Sequence, residues 1–349
     1  MDTEAAFSGT LATGSGNWSY SAGTRYDENT VFLSGSGELL LRFQREFDLM
    51  WDNSRDFYWR QFEPAGSKQI VEYMIPDGPA IDAAFTSDNS EVRNTSYGPT
   101  FTSVSGRNTV ADRLVELIGQ ARKSIHLASG HLRSRPVAMA LLEAWRNDPA
   151  LDIRVYLDQQ EFITEWYQGE QEKKLAECLE AAGYSTSRRQ DCYDRGYYYS
   201  YELVREGIPV RFKSYCYRWD YHYAKQMHHK YMVIDGRVVA SGSYNLSDNA
   251  EHNTLENMVI YDRALLPELV DAFEQNFEQI WVTGRDEGIL ESLIDTIENT
   301  TDPIPIVFDP VSLDWHELDD LKRRIREACP AINSDEYRQN PQDHLVCER

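Results

Sequence analysis

The sequence predicts an α/β protein in which a mixed or parallel β-sheet is flanked by helices. Three observations support this fold class. Short apolar runs of strand length alternate with segments of helical periodicity between residues 83 and 212. Two further apolar runs flank an Asp-Gly pair and predict a β-hairpin at residues 231–240. One unit of sequence also occurs twice, which predicts a pseudo-twofold repeat.

The individual elements follow from local patterns. Strands are predicted at 83–87, 124–129, 153–157 and 208–212, and helices after Asn108 or Thr109, at 136–145 and at 173–182. Pro136 suits the first turn of the second helix, and Gly183 ends the third. Residues 89–106 are rich in Ser, Thr and Gly and are predicted to form a loop. Residues 299–312 are predicted to be extended, and residues 312–329 are predicted to form a helix with a charged exposed face.

The predicted hairpin carries a spaced set of polar residues. His228-x-Lys230 is followed after four residues by Asp235, and after six more by Gly242-Ser243-x-Asn245. A histidine can attack phosphorus, a lysine can neutralise a phosphoryl oxygen, and a Gly-Ser-x-Asn turn can donate to the other oxygens. Residues two apart in a strand share a face, so His228 and Lys230 are expected side by side. The alternative is a buried hairpin with incidental polar ends.

This spacing resembles the HxKx4Dx6GSxN signature of the phospholipase D superfamily. The resemblance implies a metal-free phosphodiesterase in which His228 is the nucleophile and forms a phosphohistidine, while Lys230 and Asn245 hold the phosphate. It also implies a downstream acidic residue that supports a histidine, and the matching position here is Glu256. The implied fold is phospholipase D-like, and no cofactor or metal is expected.

The repeat relates the N-terminal segment to this motif. Six residues recur at a constant displacement of 228, since 242 − 14 = 228: Gly14, Ser15, Asn17, Ser19, Glu28 and Asn29 match Gly242, Ser243, Asn245, Ser247, Glu256 and Asn257. After a two-residue insertion the match resumes in an apolar helical stripe, where Leu39, Phe43, Phe47 and Trp51 match Leu269, Phe273, Phe277 and Trp281. Arg55-Asp56 likewise matches Arg285-Asp286.

The first copy is incomplete at the motif itself. Lys230 maps onto Asp2 and Asp235 onto Phe7, so the first copy lacks the His-Lys-Asp part. Truncation of a longer two-motif protein is favoured over decay of the first copy, because the match is good from Thr10 onward. The predicted organisation is a partial first copy at 1–60, a connection at 61–80, a complete phospholipase D-like domain at 81–286 and an extension with one helix at 287–349.

The resemblance places the active site between the two copies, near the pseudo-twofold axis. Ser15 and Asn17 should then face the same pocket as Ser243 and Asn245. The resemblance also implies that each acidic residue supports the histidine of the opposite copy. Glu28 would then orient His228, whereas the histidine that Glu256 would support is missing from the first copy. Asp235 belongs to the catalytic motif together with His228, Lys230 and Glu28, although it is expected to hold the hairpin turn rather than to contact substrate. Without a second motif histidine to protonate the leaving group, the chain alone is expected to be weak or inactive, and self-association could complete the site.

Net charge and cysteine content limit which partners and which cellular compartment the sequence favours. The net charge of −22 argues against binding to nucleic acid or to an anionic bilayer through overall electrostatic attraction. No apolar run is long enough for a transmembrane helix, and the N-terminus has no signal-peptide pattern, so localisation stays open, with export possible if a segment is missing upstream. The five cysteines are either free thiols or pair as Cys192–Cys216 and Cys329–Cys347. The spacing of Cys216, His222, His228 and His229 fits no closed zinc site.

Two further features have open interpretations. Residues 184–226 are rich in Tyr and Arg and form either a wall of the substrate pocket or a surface loop packed on its own domain. His126 and His131 flank the end of a predicted strand, where a satisfied structural histidine is favoured over a cleft residue. His229 is expected to point away from His228 and to be structural.

These observations favour hydrolysis of a phospholipid phosphodiester. Two alternatives remain: a nuclease of the same superfamily, and a non-catalytic remnant that binds phosphate or lipid.

Overall fold

The computed structural model describes residues 3–54, 81–96, 98–217, 224–299 and 307–328, together with Asp335. The predicted connection at 61–80, the Arg55-Asp56 match, His222, Cys329 and Cys347 lie outside the described residues.

Twelve helices and twelve strands, numbered here in chain order, make up these described ranges. The helices are α1 (Thr3–Ser8), α2 (Tyr20–Thr24), α3 (Gly37–Asp52), α4 (Thr109–Gln120), α5 (Arg135–Asn147), α6 (Glu165–Ala182), α7 (Thr186–Tyr193), α8 (Ser200–Arg205), α9 (Asp248–Asn253), α10 (Pro267–Trp281), α11 (Ile289–Asn299) and α12 (Trp315–Ala328). The strands are β1 (Thr10–Gly14), β2 (Thr30–Ser34), β3 (Asp82–Phe85), β4 (Ser90–Thr95), β5 (Gly98–Ser103), β6 (Ser124–Ser129), β7 (Asp152–Asp158), β8 (Val210–Cys216), β9 (Lys230–Ile234), β10 (Val238–Gly242), β11 (Asn257–Asp262) and β12 (Val307–Asp314).

An eight-stranded mixed sheet organises the fold, in the order β12-β8-β7-β6-β9-β10-β11-β3. Strands β6, β7 and β8 are parallel, so their carboxyl ends lie along one edge of the sheet, which we call the carboxyl edge. Strand β9 runs antiparallel to β6 and therefore begins at this edge, while β10 runs antiparallel to β9 and ends there. The predicted α/β class, with helices flanking a mixed sheet, is confirmed.

Strand β9 shows why the sheet is covered on both faces. Met232 and Ile234 pack in one apolar core with α4, α5 and α12, whereas Tyr231 and Val233 pack in a second core with α10. The second core also contains Val31 of β2 and Leu39 of α3, so the N-terminal hairpin shares its apolar contacts with the large sheet. Each large side chain buried in this way contributes about 1.5–3 kcal/mol to stability.

The N-terminal hairpin β1–β2 repeats the geometry of β10–β11. Gly14 pairs with Thr30 and Thr10 with Ser34 in the first hairpin. Gly242 pairs with Met258 and Val238 with Asp262 in the second. Each of these pairs joins the positions that correspond in the sequence repeat, so the two hairpins share one strand register.

Both hairpins need glycine at the same place. A Cβ atom on Gly14 would lie 2.2 Å from the carbonyl oxygen of Asn29, and a Cβ on Gly242 would lie 2.2 Å from that of Asn257. The close approach of two backbones at matched positions explains the glycine that opens each Gly-Ser-x-Asn turn.

Most predicted elements lie where the sequence placed them, and three expectations are wrong. Residues 89–106 contain the β4–β5 hairpin, because their Thr, Val and Phe side chains suit strands despite the Ser and Gly content. The C-terminal region contains α11 in addition to the one predicted helix. Cys192 is bonded to Cys178 rather than to Cys216, because α7 packs against α6 and brings the two Cα atoms to 5.9 Å.

Among the described residues, every helix is too short or too polar to span a bilayer.

Candidate active site

His228 lies at the carboxyl edge, immediately before β9, and is held by the N-terminal segment. Its Nδ1 atom is 2.6 Å from Oε1 of Glu28, and its backbone N–H donates to the carbonyl of Asp27 at 3.1 Å. The other carboxylate oxygen of Glu28 accepts a hydrogen bond of 2.6 Å from the Ser15 hydroxyl. In a neutral ring whose Nδ1 donates to the Glu28 carboxylate, the lone pair is at the second ring nitrogen, Nε2.

Lys230 places its ammonium beside the His228 ring. The Nζ atom lies 3.0 Å from Nδ1 and 3.2 Å from Nε2 of His228, and it donates to the His228 carbonyl at 3.0 Å. The side chain is only 2 % exposed, and burial lowers its pKa to about 8, although Glu28 and Glu256 oppose the shift. A cation in these dry surroundings interacts more strongly with a phosphoryl oxygen than it would in water.

The two Gly-Ser-x-Asn turns are built in the same way. The Ser15 hydroxyl accepts from the backbone N–H of Asn29 at 2.9 Å, and the Ser243 hydroxyl accepts from that of Asn257 at 3.0 Å. In each turn the serine N–H donates to the carbonyl of the same asparagine at 3.0 Å.

The side-chain oxygen of the asparagine in each hairpin also accepts a hydrogen bond from a hydroxyl of the other hairpin. The Thr13 hydroxyl donates to Oδ1 of Asn257 at 3.0 Å, and the Ser241 hydroxyl donates to Oδ1 of Asn29 at 3.1 Å. Ser241 is the counterpart of Thr13 in the sequence repeat, and Asn257 is the counterpart of Asn29. The second contact therefore repeats the first with the hairpins exchanged, as a local twofold arrangement requires.

A cavity of about 580 Å³ opens beside these turns. Its polar lining includes Asn17, Glu28 and Ser243, and its apolar wall includes Trp18 and Phe32, which are 95 % and 70 % exposed. Asn17 is exposed and Asn245 is half-buried.

Two carboxylates, the buried one of Asp158 and the half-buried one of Asp27, position the chain on either side of His228. Asp158, at the end of β7, accepts from the backbone N–H of Met227 at 2.8 Å and from the Tyr215 hydroxyl at 3.2 Å. Burial raises the pKa of Asp158 to about 6. Asp27 forms an ion pair of 2.7 Å with Lys213 of β8, and burial still raises the pKa of Asp27 above its ordinary value.

Sequence reasoning missed Asp158, Asp27 and Lys213. The one available signal was a polar residue directly after each predicted apolar run, Asp158 after 153–157 and Lys213 after 208–212.

His229 is a supporting residue, as expected. Its side chain is buried, and burial lowers its pKa to about 3, with Lys213 and Lys230 acting in the same direction. The neutral ring places Nδ1 3.2 Å from the side-chain amide nitrogen of Asn29.

Asp235, the motif aspartate, holds the hairpin turn as expected and lies away from His228. It lies at the opposite end of β9 from His228, so about five residues of strand, or roughly 17 Å, separate it from Lys230. Its carboxylate accepts from the backbone N–H groups of Arg122, Lys123 and Ser124 at 2.9, 2.6 and 3.0 Å. Burial would raise its pKa, but these three donors outweigh burial and lower it. Asp235 therefore holds the hairpin turn against the start of β6.

Glu256 occupies the position that matches Glu28. Its carboxylate accepts from the Thr254 hydroxyl at 2.9 Å, and its backbone N–H donates to the Thr86 hydroxyl at 2.7 Å. It is close enough to raise the pKa of Lys230. Glu256 therefore adds negative charge to the site, and its role towards substrate stays a prediction.

The other residues singled out in the sequence have mixed placements. His126 is buried, stacks on Phe277 at 4.7 Å and bonds to Asp152 at 3.0 Å, which is a structural arrangement. The Tyr- and Arg-rich segment packs partly on its own domain, where Tyr198 lies under the guanidinium of Arg133 at 4.4 Å. Among the described residues, no group of three or more His, Cys, Asp or Glu side chains is arranged to hold a metal ion.

Comparison with known proteins relates the middle part of the chain to one domain family. Residues 114–281 match the phospholipase D-like domain of cardiolipin synthase. The mitochondrial cardiolipin hydrolase of Danio rerio is 39 % identical over 79 residues, which are 23 % of this chain and 30 % of that protein. The mitochondrial cardiolipin hydrolase of Chlamydomonas reinhardtii is 36 % identical over 58 residues, which are 17 % of this chain and 25 % of that protein. The matched part is thus less than a third of either relative.

Two solved structures give broader but weaker matches. The phospholipase D family member Nuc from Salmonella typhimurium has a TM-score of 0.33 and 16 % identity, covering 58 % of this chain and 93 % of that chain. The phosphatidylserine synthase of Haemophilus influenzae has a TM-score of 0.44 and 12 % identity, covering 79 % of this chain and 63 % of that chain.

Proposed function

We propose that this chain, which belongs to the phospholipase D superfamily, cleaves phosphodiesters with His228 as the nucleophile. The observation that carries the proposal is the contact between Nδ1 of His228 and the Glu28 carboxylate at 2.6 Å, with the Lys230 ammonium beside the same ring. A carboxylate that fixes a histidine and a cation placed at the developing charge are the two requirements of nucleophilic attack on phosphorus.

In the proposed first step, Nε2 of His228 forms a bond to phosphorus and the bond from phosphorus to the leaving oxygen breaks. The imidazole gains positive charge as it attacks, and the Glu28 carboxylate at Nδ1 stabilises that charge. Lys230 stabilises the negative charge on the non-bridging oxygens. Asn245, Ser243 and their counterparts Asn17 and Ser15 complete the phosphate pocket, and Glu256 borders it. In the second step, water attacks the phosphohistidine and frees His228. The proposal calls on no cofactor.

We further infer that the two hairpins are two copies of one unit, with the site between them. Their identical strand register and the reciprocal contacts Thr13–Asn257 and Ser241–Asn29 support this inference. In this interpretation residues 1–60 are the partial first copy, residues 81–286 the complete domain and residues 287–349 an extension.

A phospholipid is the proposed substrate. The cavity that borders Glu28 and Ser243 combines a polar floor with the apolar side chains of Trp18, Phe32 and Phe43, and Lys230 lies next to it, behind Glu28, rather than in its lining, which contains no Lys or Arg among the described residues. An amphiphilic phosphodiester suits such a lining, whereas a nucleic-acid backbone calls for basic groups along a groove. Two relatives are named mitochondrial cardiolipin hydrolase, and this name also favours a phospholipid substrate.

A nuclease is the second candidate, supported by the superfamily itself, and a binding protein without turnover is the third. Incubation with phosphatidylcholine, cardiolipin and single-stranded DNA, with assay of each product, separates the three. Lipid cleavage supports the proposed substrate, DNA cleavage replaces it with a nuclease, and binding without product supports the third candidate.

The nucleophile itself is tested with bis(p-nitrophenyl) phosphate, whose leaving group needs no protonation. We expect His228→Ala to lower turnover by about 10³–10⁶-fold, as for other enzymes that lose their nucleophile. A phosphorylated His228 should be trapped by mass spectrometry after a rapid quench. The matched control is His316→Ala, a change at an exposed histidine of α12. Equal turnover in the His228→Ala variant and the unchanged protein would reject the proposal.

A further inference from the structure

We propose that His131 is a further catalytic residue of this site, which protonates the leaving oxygen and then activates the attacking water. The inference rests on the proposed phosphodiesterase function. It is argued from the position of His131 at the carboxyl edge, from its buried carboxylate partner and from its open ring nitrogen.

The chain that leads to His131 passes directly against His228. His131 follows β6, the strand that neighbours β9, at the edge where β9 begins. The backbone N–H of Gly130 donates to the carbonyl of His229 at 3.1 Å. A Cβ atom on Gly130 would lie 3.7 Å from Cδ2 of His228 and 2.8 Å from the Met227 carbonyl. Adjacent strands are about 4.8 Å apart, so His131 begins about one strand spacing from the proposed nucleophile.

A buried carboxylate holds one side of the His131 ring. Nδ1 lies 3.0 Å from Oε1 of Glu161, whose side chain is fully buried. Burial would raise the pKa of Glu161, but His131 and Arg133 outweigh burial and lower it. Arg133 donates to Oε1 at 2.9 Å and the Leu132 N–H donates to Oε2 at 3.2 Å. A carboxylate held charged in this way must accept the Nδ1 proton, so the transferable proton of the ring is the one at Nε2.

The Nε2 atom of His131 has no hydrogen-bond partner among the described residues, and its side chain is partly exposed. The side chain is 23 % exposed, compared with 12 % for His228. His252 provides the contrast within the same chain, because its Nδ1 bonds to Asp194 and its Nε2 bonds to Asn108, both at 2.9 Å. His252 is a satisfied structural histidine, whereas His131 shares with His228 a glutamate at Nδ1 and differs from it in that no described side chain is bonded to its Nε2.

The loop that carries His131 is hydrogen-bonded to the loop that follows the turn at Gly242-Ser243-x-Asn245. The backbone N–H groups of Arg133 and Ser134 both donate to the carbonyl of Leu246, at 2.8 and 2.7 Å. Leu246 follows Asn245, which belongs to the proposed phosphate pocket. These bonds hold the two loops in fixed relation, which proton transfer to a bound phosphodiester requires.

When Nε2 of His228 bonds to phosphorus, the bond to the leaving oxygen breaks and that oxygen takes the Nε2 proton of His131. Neutral His131 then accepts a proton from water as the water oxygen bonds to phosphorus and the phosphorus–nitrogen bond breaks. His131 is thereby protonated again and His228 is restored.

The test compares two leaving groups in the first turnover, before the intermediate hydrolyses. Bis(p-nitrophenyl) phosphate releases a stable anion, whereas diphenyl phosphate releases a more basic phenoxide that benefits from an acid. We expect His131→Gln to change the ratio of the two release rates by about 10²–10⁴-fold, with diphenyl phosphate slowed more. His126→Gln, a change at a histidine of β6 with a structural arrangement, is the matched control and should leave the ratio within about threefold.

An unchanged ratio in the His131→Gln variant would overturn the inference. If that variant does not fold, the unchanged protein supplies a second test, because its pH–rate profile should show a limb for an essential acid with diphenyl phosphate that is weaker with the nitrophenyl ester. Identical profiles would overturn the inference equally. Failure of the proposed function is recognised separately, since His228→Ala would then leave both substrates unaffected.

Discussion

Glu28 and His228 are 200 residues apart in the sequence, and their side chains meet at 2.6 Å. The histidine precedes the first strand of the hairpin in the large sheet and the glutamate belongs to the N-terminal segment, so the proposed catalytic pair forms only when these two parts are assembled. Asp27, the neighbour of Glu28, reinforces the assembly through its ion pair with Lys213 and through its backbone contacts with Gln226 and His228.

The Glu28 contact predicts a specific kinetic defect. Glu28→Gln preserves the shape of the side chain but removes the charge that stabilises a cationic His228. We expect turnover of bis(p-nitrophenyl) phosphate to fall by about 10²–10⁴-fold, as when the carboxylate partner of a catalytic histidine is replaced. Glu256→Gln, at the matching position of the second copy, is the control and should have a smaller effect. An equal loss in both variants would contradict the assignment of Glu28 as the partner of His228.

Lys230 predicts the alkaline limit of activity. Burial lowers its pKa to about 8, so the ammonium loses its proton as pH rises through this value, and the charge that stabilises the phosphoryl oxygens is lost with it. We therefore expect kcat/KM to fall above about pH 8. Lys230→Arg should remove this limb from the measurable range, because a guanidinium stays charged. A limb that persists unchanged in the arginine variant would belong to another group.

The ion pair of Asp27 with Lys213 predicts a stability effect that the motif residues do not share. Lys213→Met leaves the half-buried Asp27 carboxylate without its cation, which should lower the free energy of unfolding by about 1–3 kcal/mol. The double variant Asp27→Asn with Lys213→Met should recover part of this loss, since no unpaired charge remains. Urea unfolding of the single and double variants measures the coupling, and strictly additive losses would argue against a direct interaction.

The paired glycines predict matched destabilisation in the two hairpins. Gly14→Ala and Gly242→Ala each place a methyl group at 2.2 Å from a backbone oxygen, so strand separation is required and a loss of about 1–3 kcal/mol or more is expected. Gly119→Ala in α4 is the control, because its Cβ has no atom within 4 Å and alanine favours the helix. Thermal unfolding should lower the midpoint for the first two variants and raise it for the third. Tolerance of alanine at either hairpin position would contradict the close approach.

Local patterns were sufficient for several parts of the site. Strands β9 and β10 are short apolar runs joined by Asp235-Gly236, both with positive φ as a tight hairpin turn requires, so the Asp-Gly pair correctly predicted the turn. The constant displacement between the two copies also related Ser15 to Ser243 and Glu28 to Glu256. The pairing of Glu28 with His228 rested on the family resemblance rather than on the repeat alone.

Other features depended on contacts that no local pattern encodes. The β4–β5 hairpin was mistaken for a loop because Ser, Thr and Gly are common to both, and only the pairing of Ser90 with Ser103 through Thr95 with Gly98 distinguishes them. Among the cysteines, the partner of Cys192 was decided by the packing of α7 on α6. The separation of Asp235 from His228 is set by the length of β9, and the backbone N–H groups that Asp235 binds come from the start of β6.

By itself, the sequence determined the chemistry of the candidate site: a histidine and a lysine two residues apart, two Gly-Ser-x-Asn turns and two matched glutamates. The tertiary structure decided which of these groups share a pocket, because the strand order brings β7, β8 and β9 together at one edge and seats the N-terminal hairpin against them. Hydrogen-bond partners such as Asp158 for Met227, Lys213 for Asp27 and Glu161 for His131 come from strands or loops far apart in the chain. Short-range periodicity carries no information about such neighbours, so these relationships became visible only in the folded molecule.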